Sequence, residues 1–223
     1  MTINDLKNIV EFFMNKEAHG SMTPAEFNSA LALATDEYVA EKLPDARGRA
    51  LVYQRVQRVT DDLRPLRSKS VLIPDSFGKV SFPSDYLYGL YLALPTGPAE
   101  RETRVEVVKD GAWPERSESS LIDTETYPIA RFGSNDIQLS PRQDRVALYY
   151  LRKPTTPVWG FTLAAVSGSA YGRPQYDAST TVESDFQDSP TAMLSILHKV
   201  GQYFSLNITR QDVMGFNLAK EQI

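Results

Sequence analysis

Two histidines, one adjacent pair of aspartates and no cysteine are almost all that this 223-residue sequence offers to catalysis. His19 falls in an expected turn and His198 in an expected helix, far apart in sequence, so neither is read as a catalytic group or a ligand. Asp61 and Asp62 are more simply a solvated helix end than part of a metal site, which needs several clustered ligands. The lack of cysteine removes thiolate nucleophiles, Cys-ligated metals and disulfides, and fits a reducing compartment. Gly168-Ser169-Ala170-Tyr171-Gly172 lacks the Gly-Lys-Ser/Thr ending of a phosphate-binding loop, so it counts as loop flexibility. No Gly-x-Ser-x-Gly elbow occurs. The N-terminus carries Asp5 ahead of Lys7 and is not expected to be a signal peptide, which makes the glycosylation match at Asn207-Ile208-Thr209 a chance one. The expectation is therefore no enzyme, no catalytic residue, no cofactor and no metal.

Two groups of residues suit recognition rather than catalysis. Arg47, Arg49, Arg55, Arg58, Arg64, Arg67 and Lys69 crowd positive charge around an expected third helix, against Asp61 and Asp62. They form either a solvated face with intrahelical pairs, or a surface for an acidic partner or a phosphate backbone passing along a channel. Tyr86, Tyr88, Tyr91, Tyr149 and Tyr150 cluster in the sequence; core packing accounts for most, while exposed tyrosines with Trp159 suit a protein interface. A formal net charge of −4 argues against a protein that coats DNA generally.

The elements that would position these residues are helical at both ends. Ile3, Leu6, Ile9/Val10 and Phe13 recur at helical spacing behind a Thr2/Asp5 cap pair, and Gly20 marks the turn that follows. Thr23-Pro24-Ala25-Glu26 supplies a capping hydroxyl, a proline at the first helical position and an acidic third residue, ahead of an apolar stripe of Phe27, Ala30, Leu31, Ala34 and Tyr38. Pro44-Asp45 starts the third helix, with Val52, Val56, Val59 and Leu63 inward. Ser189-Pro190 starts another, bearing Leu194, Leu197, Val200 and Phe204, and Thr209 with Asp212 caps a short last one.

Between them the period changes to that of strands: 71–73, 80–82, 104–108, 129–131, 136–139 and 146–151, with a hairpin turn at 133–136. Residues 86–94 suit a strand or a short helix. Pro154 and Pro157 end the last strand, since proline donates nothing to a ladder. The polar stretch 167–184 is expected to lie on the surface as an arm that a neighbouring subunit orders. The expected class is α+β, one globular domain in which a helical bundle from both termini packs beside a β-rich middle. Its regions are 1–67 (helical), 68–161 (β-rich core), 162–187 (loop or arm) and 188–223 (helical docking region). No apolar run approaches the roughly 20 residues that span a bilayer.

Several of these stretches, taken in order, resemble the neck and head–tail connector proteins of crAss-like, short-tailed bacteriophages. The resemblance runs through Met22-Thr23-Pro24-Ala25-Glu26-Phe27 and Phe82-Pro83-Ser84-Asp85-Tyr86. It continues in Leu148-Tyr149-Tyr150-Leu151-Arg152-Lys153-Pro154 with Pro157-Val158-Trp159-Gly160-Phe161, then Ser184-Asp185-Phe186 and Gly201. Gln187-Asp188 departs from the more acidic or apolar pair expected there. The resemblance implies a structural virion protein made in the host cytoplasm. It would form a cyclic homo-oligomer, a dodecamer, stacked between portal and tail as a conduit for genome passage during ejection. Its implied partners are itself, the portal protein and other neck or tail proteins, with transient contact to double-stranded DNA and none to membrane. A tail or fibre adaptor further from the portal is the alternative; a nucleic-acid-binding module or an enzyme ranks behind both. Candidate interface residues are Arg47, Arg55, Arg58, Trp159, Tyr171, Tyr176, Phe216 and Leu218.

Overall fold

Short-range capping chemistry starts each of the long helices. In the computed structural model, which describes residues 1–16, 21–43, 62–96, 101–118, 128–164, 172–206 and 208, helix α1 spans Ile3–Lys16. Thr2 N donates to Asp5 Oδ2 at 3.1 Å while Asp5 N donates back to Thr2 Oγ1 at 3.1 Å, so two N–H groups without helical partners are satisfied. Helix α2 (Pro24–Lys42) opens with the full reciprocal box: Thr23 N to Glu26 Oε2 at 2.8 Å and Glu26 N to Thr23 Oγ1 at 3.3 Å. Those bonds from Thr23 hold the Glu26 carboxyl below its ordinary range. Two further helices are α3 (Trp113–Ser117) and α4 (Pro190–Tyr203); in α4, Ser189 Oγ accepts from Ala192 N and Pro190 occupies the first turn.

The chain is mixed α/β and divides into two compact units, Met1–Pro65 with Pro154–Ile223, and Leu66–Lys153. This differs from the single domain and the 68–161 core expected of the sequence: the second unit closes at Lys153, where Pro154 ends the strand pattern. Residues 44–61 of the expected third helix, and the short last helix, lie outside the described residues; the described end of the third departs from expectation, with Arg64–Leu66 a 3-10 turn and Arg67 and Lys69 on the strand Arg67–Leu72. Among the described residues no helix is long and apolar enough to cross a membrane.

In the first unit the buried stripe of α2 is the one its spacing predicts, with Phe27, Ala30, Leu31, Ala34 and Tyr38 all covered. Both α1 and α2 contact α4, which buries Ala192, Met193, Ile196, Leu197 and Val200 and leaves Leu194 half-exposed. Phe186, just ahead of α4, meets the Tyr38 ring edge-on at 5.2 Å between centroids. Burying an aromatic or aliphatic side chain of this size contributes about 1.5–3 kcal/mol, so the α2–α4 contact is a principal source of stability here. Lys199 to Glu41 at 2.5 Å and Tyr203 Oη to Glu37 at 2.6 Å lie on its rim.

Seven strands form the sheet of the second unit: β1 (Arg67–Leu72), β2 (Lys79–Ser81), β3 (Tyr86–Thr96), β4 (Arg101–Val107), β5 (Ile129–Phe132), β6 (Asp136–Ser140) and β7 (Val146–Arg152). Their order is β1-β7-β3-β4-β5-β6-β2, antiparallel except for the β4–β5 pair. The ambiguous 86–94 stretch is strand because β7 and β4 pair with it from either side. The turn at 133–136 joins β5 to β6, with Gly133 N donating to Asp136 O at 2.8 Å.

One apolar cluster contains Val80 of the terminal strand β2 together with Leu92, Val105, Ile137, Val146 and Leu148. A flat sheet cannot bring β2 and β7 to one core; the sheet curls. Its two end strands, β1 and β2, are consecutive in the chain, joined by residues 73–78. Asp75 Oδ1 accepts from Phe77 N at 2.8 Å and from Lys79 N at 2.9 Å. Gly78 adopts φ 73° and accepts from Leu139 N at 2.9 Å, a conformation in which a Cβ would collide with Leu139 O.

Two more strands belong to the first unit. Strands β8 (Phe161–Ala164) and β9 (Arg173–Tyr176) form a separate antiparallel pair. This revises the expected arm. Residues 172–187 fold onto their own chain: β9 pairs with β8, Val182 bridges Val158, and Glu183 Oε2 accepts from Ile3 N at 3.1 Å. The polar residues make turns instead of reaching outward, since Asp177 Oδ1 accepts from Ser179 N at 2.9 Å and from its Oγ at 2.7 Å.

Candidate functional site

The β8–β9 hairpin is held from beneath by Trp159. Asn28, on α2, accepts from Trp159 N at 2.8 Å and donates to Trp159 O at 3.2 Å, a side-chain amide acting as one rung of a ladder. The indole Nε1 donates to Asn4 Oδ1 at 3.1 Å. The Lys7 ammonium lies 4.2 Å from the ring centroid, paired with Glu11 and itself buried, so the aliphatic stem and the charge both serve the ring. Phe161 stacks on the indole at 5.8 Å and Tyr176 leans on it at 6.2 Å.

Register then decides what the hairpin offers outward. Phe161 faces Tyr176 and Leu163 faces Pro174 across the pair, so these four share one side, with Thr162, Ala164, Arg173 and Gln175 on the other. Trp159 covers the root of the apolar side; Leu163, further along, is 65% exposed. Most residues of both strands are exposed.

On the second unit the outer face of the sheet carries a polar aromatic ladder. Tyr91 and Tyr149 stack at 4.3 Å across β3 and β7. Tyr149 Oη donates to Glu102 at 2.6 Å and Lys69 Nζ donates to the same carboxylate at 2.8 Å, with Arg104 placed 5.4 Å from the Tyr91 centroid. The Lys69 bond, then the Tyr149 bond, holds the Glu102 carboxyl below its ordinary 4.5. Glu102 in turn pushes the Tyr149 phenol above its ordinary 10.0. These groups are exposed, so the network tunes charge and orders a face rather than adding much stability. Glu102→Gln is expected to bring the Tyr149 ionisation back down, seen as an earlier alkaline rise in phenolate absorbance. A curve identical to wild type would sink that assignment. The sign for Glu102 itself is that its share of stability is present above 4.5 and fades as pH falls through the lowered value.

No protein-family model and no curated protein matches the sequence.

Of the residues singled out in the sequence, the structure brings together Trp159 and Tyr176, in contact at the hairpin root. Trp159 is 3% exposed and packed by its own chain, so it positions an outer surface and does not itself meet solvent. Arg47, Arg55, Arg58, Tyr171, Phe216 and Leu218 lie outside the described residues, as do His19 and Asp61. Asp62 pairs with Lys42 at 2.7 Å, and among the described residues no group of three or more His, Asp or Glu could hold a metal. The sequence reading missed Leu163, Asn4, Asn28 and Lys7. Only the alternation of Phe161 and Leu163 next to Trp159 could have signalled the hairpin. It also missed Trp113, which buries against Val108 and Ile129 from α3, where Trp-Pro at the helix start was the available signal.

Proposed function

We propose that the chain is a structural virion protein that assembles with copies of itself into a ring, stacked in the neck of a short-tailed bacteriophage between portal and tail, with the genome passing through it. The observation that carries this reading is the exposed β8–β9 hairpin. Two strands alone are marginal in water, yet this pair keeps Leu163 and most of both strands exposed. Trp159 seats the root of the pair, and Leu163, beyond that seat, is the surface that a second copy would cover. The motifs resembling connector proteins run through both units, and the Pro157-Val158-Trp159-Gly160-Phe161 stretch among them builds the hairpin's root. In this reading helices from both termini form one bundle, α2 and α4 at its centre, and residues 209–223 dock on a neighbouring neck protein.

Light scattering and negative-stain imaging of the full chain test it. The expected particle is a closed ring, twelvefold, appearing as concentration rises. A monomer at every concentration, or open filaments, would remove the ring. Truncation after Ile208, which is buried beside Gly201, is expected to leave the fold intact and to abolish assembly into phage necks; normal particles without residues 209–223 would remove the docking role.

A further inference from the structure

We infer that the β8–β9 hairpin of one copy docks, edge to edge, into the groove between β1 and β2 of a second copy. The inference rests on the self-assembly reading above and names the surfaces that meet.

The groove exists because the sheet curls without closing. Strands β1 and β2 are its two ends, and among the described residues they pair with β7 and β6 but not with each other. Among the described residues each therefore has an open edge, and between them lies a groove of about 520 Å³, lined by Leu72, Ile73 and Val80 with Asp75, Lys79, Ser81 and Asp136 around it. An open strand edge beside a groove of mixed character, with Leu72 and Ile73 next to Asp75, Lys79, Ser81 and Asp136, is a template for an added strand: main-chain bonds give attraction, and alternate side chains give register. The turn at 73–78 is locked by Asp75 and Gly78, so the groove is formed before anything enters it, and little ordering cost falls on binding. At its lip Ile73 is 77% and Phe77 76% exposed, although the turn carrying them is fixed by hydrogen bonds. Exposed apolar side chains on a backbone fixed in this way would be covered by a docked strand pair at little cost in backbone order.

The same chain supplies a matching element. Among the described residues the hairpin has two open edges, with an apolar side that carries Leu163 and Pro174 beyond the cover of Trp159, and an exposed Arg173 on β9. Around the groove two carboxylates, Asp75 and Asp136, stand against one ammonium, Lys79, so an incoming guanidinium meets an excess of opposite charge. A hairpin from one unit entering a groove on the other unit of the next copy is a heterologous contact, the type that closes rings.

The absence of cysteine makes the test direct. Two full-length preparations of different size, Ile73→Cys and Leu163→Cys, are mixed and oxidised. The expected product is the mixed disulfide, in excess over either homodimer. If light scattering shows oligomers but the mixed disulfide does not form, or one homodimer dominates, this interface is wrong and self-assembly stands. Monomers throughout would remove both. As a second measurement, Leu163→Lys is expected to weaken self-association about tenfold or more, with an unchanged circular-dichroism spectrum because the side chain is exposed. Undiminished association of that variant overturns the docking.

Discussion

Replacing Trp159 with alanine is expected to destabilise the first unit by about 3–5 kcal/mol, the range for removing a buried aromatic side chain. The indole fills a site whose walls come from four separate segments: Asn4 and Lys7 of α1, Asn28 of α2, Phe161 of β8 and Tyr176 of β9. None of those walls can collapse into the void without breaking its own bonds, which places the cost toward the upper end. Removal also strands Lys7, an ammonium that is 7% exposed and left with only Glu11 for company. Trp159→Phe keeps most of the filler and loses the bond to the half-buried Asn4, so it should cost about 0.5–1.5 kcal/mol for that bond together with a partial cavity. Urea unfolding of the three proteins, followed by near-ultraviolet circular dichroism, gives the order. If alanine cost less than phenylalanine, or less than about 1 kcal/mol, the indole would not be the anchor argued for here. Hydrogen exchange supplies the local readout: amides of β8 and β9 should lose protection first in Trp159→Ala.

What could be read from the sequence divides along contact distance. Thr2 with Asp5, Thr23 with Glu26 and Ser189 with Pro190 announce helix starts because cap and backbone partner sit within three residues of each other. Strands β2, β4, β5, β6 and β7 are legible from short β-branched or aromatic runs, and the β5–β6 turn from Gly133 and Asp136; of β1 only Val71 and Leu72 are, since Arg67-Ser68-Lys69-Ser70 carries no apolar signal and becomes strand by pairing with β7. Residues 86–94 stayed open because their Tyr/Leu alternation is resolved only by the two strands that flank β3. The hairpin was hidden for the same reason in stronger form. Its strand β9 reads Arg-Pro-Gln-Tyr, whose proline argues against a central strand and is tolerated because β9 is, among the described residues, an edge strand. The bonds that fold 172–187 back reach across the whole chain, as from Glu183 to Ile3, so local composition suggests only a polar arm. Trp159 suggested an interface by residue type; the structure buries it beneath the hairpin, against Phe161 and Tyr176.

Gly160→Val is expected to detach that support from the other side. A Cβ built at Gly160 would lie 2.5 Å from both Thr180 C and Thr181 N and closer still to Thr180 Oγ1. Two of these are backbone atoms, which a rotamer change cannot move aside, so the 158–160 and 180–182 segments must separate. Separation breaks Gly160 N to Thr181 Oγ1 at 3.1 Å, Asp177 N to Gly160 O at 3.0 Å and the paired Val158–Val182 bonds at 2.9 Å. At about 0.5–1.5 kcal/mol for each bond, with about 1–3 kcal/mol for the overpacking, the loss rivals that of Trp159→Ala. Gly111 is the control: a Cβ there meets nothing within 4 Å, so Gly111→Ala should unfold at the wild-type urea concentration. Self-association separates the two roles of the segment. Gly160→Val should lose stability and assembly together, whereas Leu163→Lys should lose assembly alone. A Gly160→Val protein that still assembles like wild type would show that the hairpin's seat on Trp159 is not what presents it to a neighbouring copy.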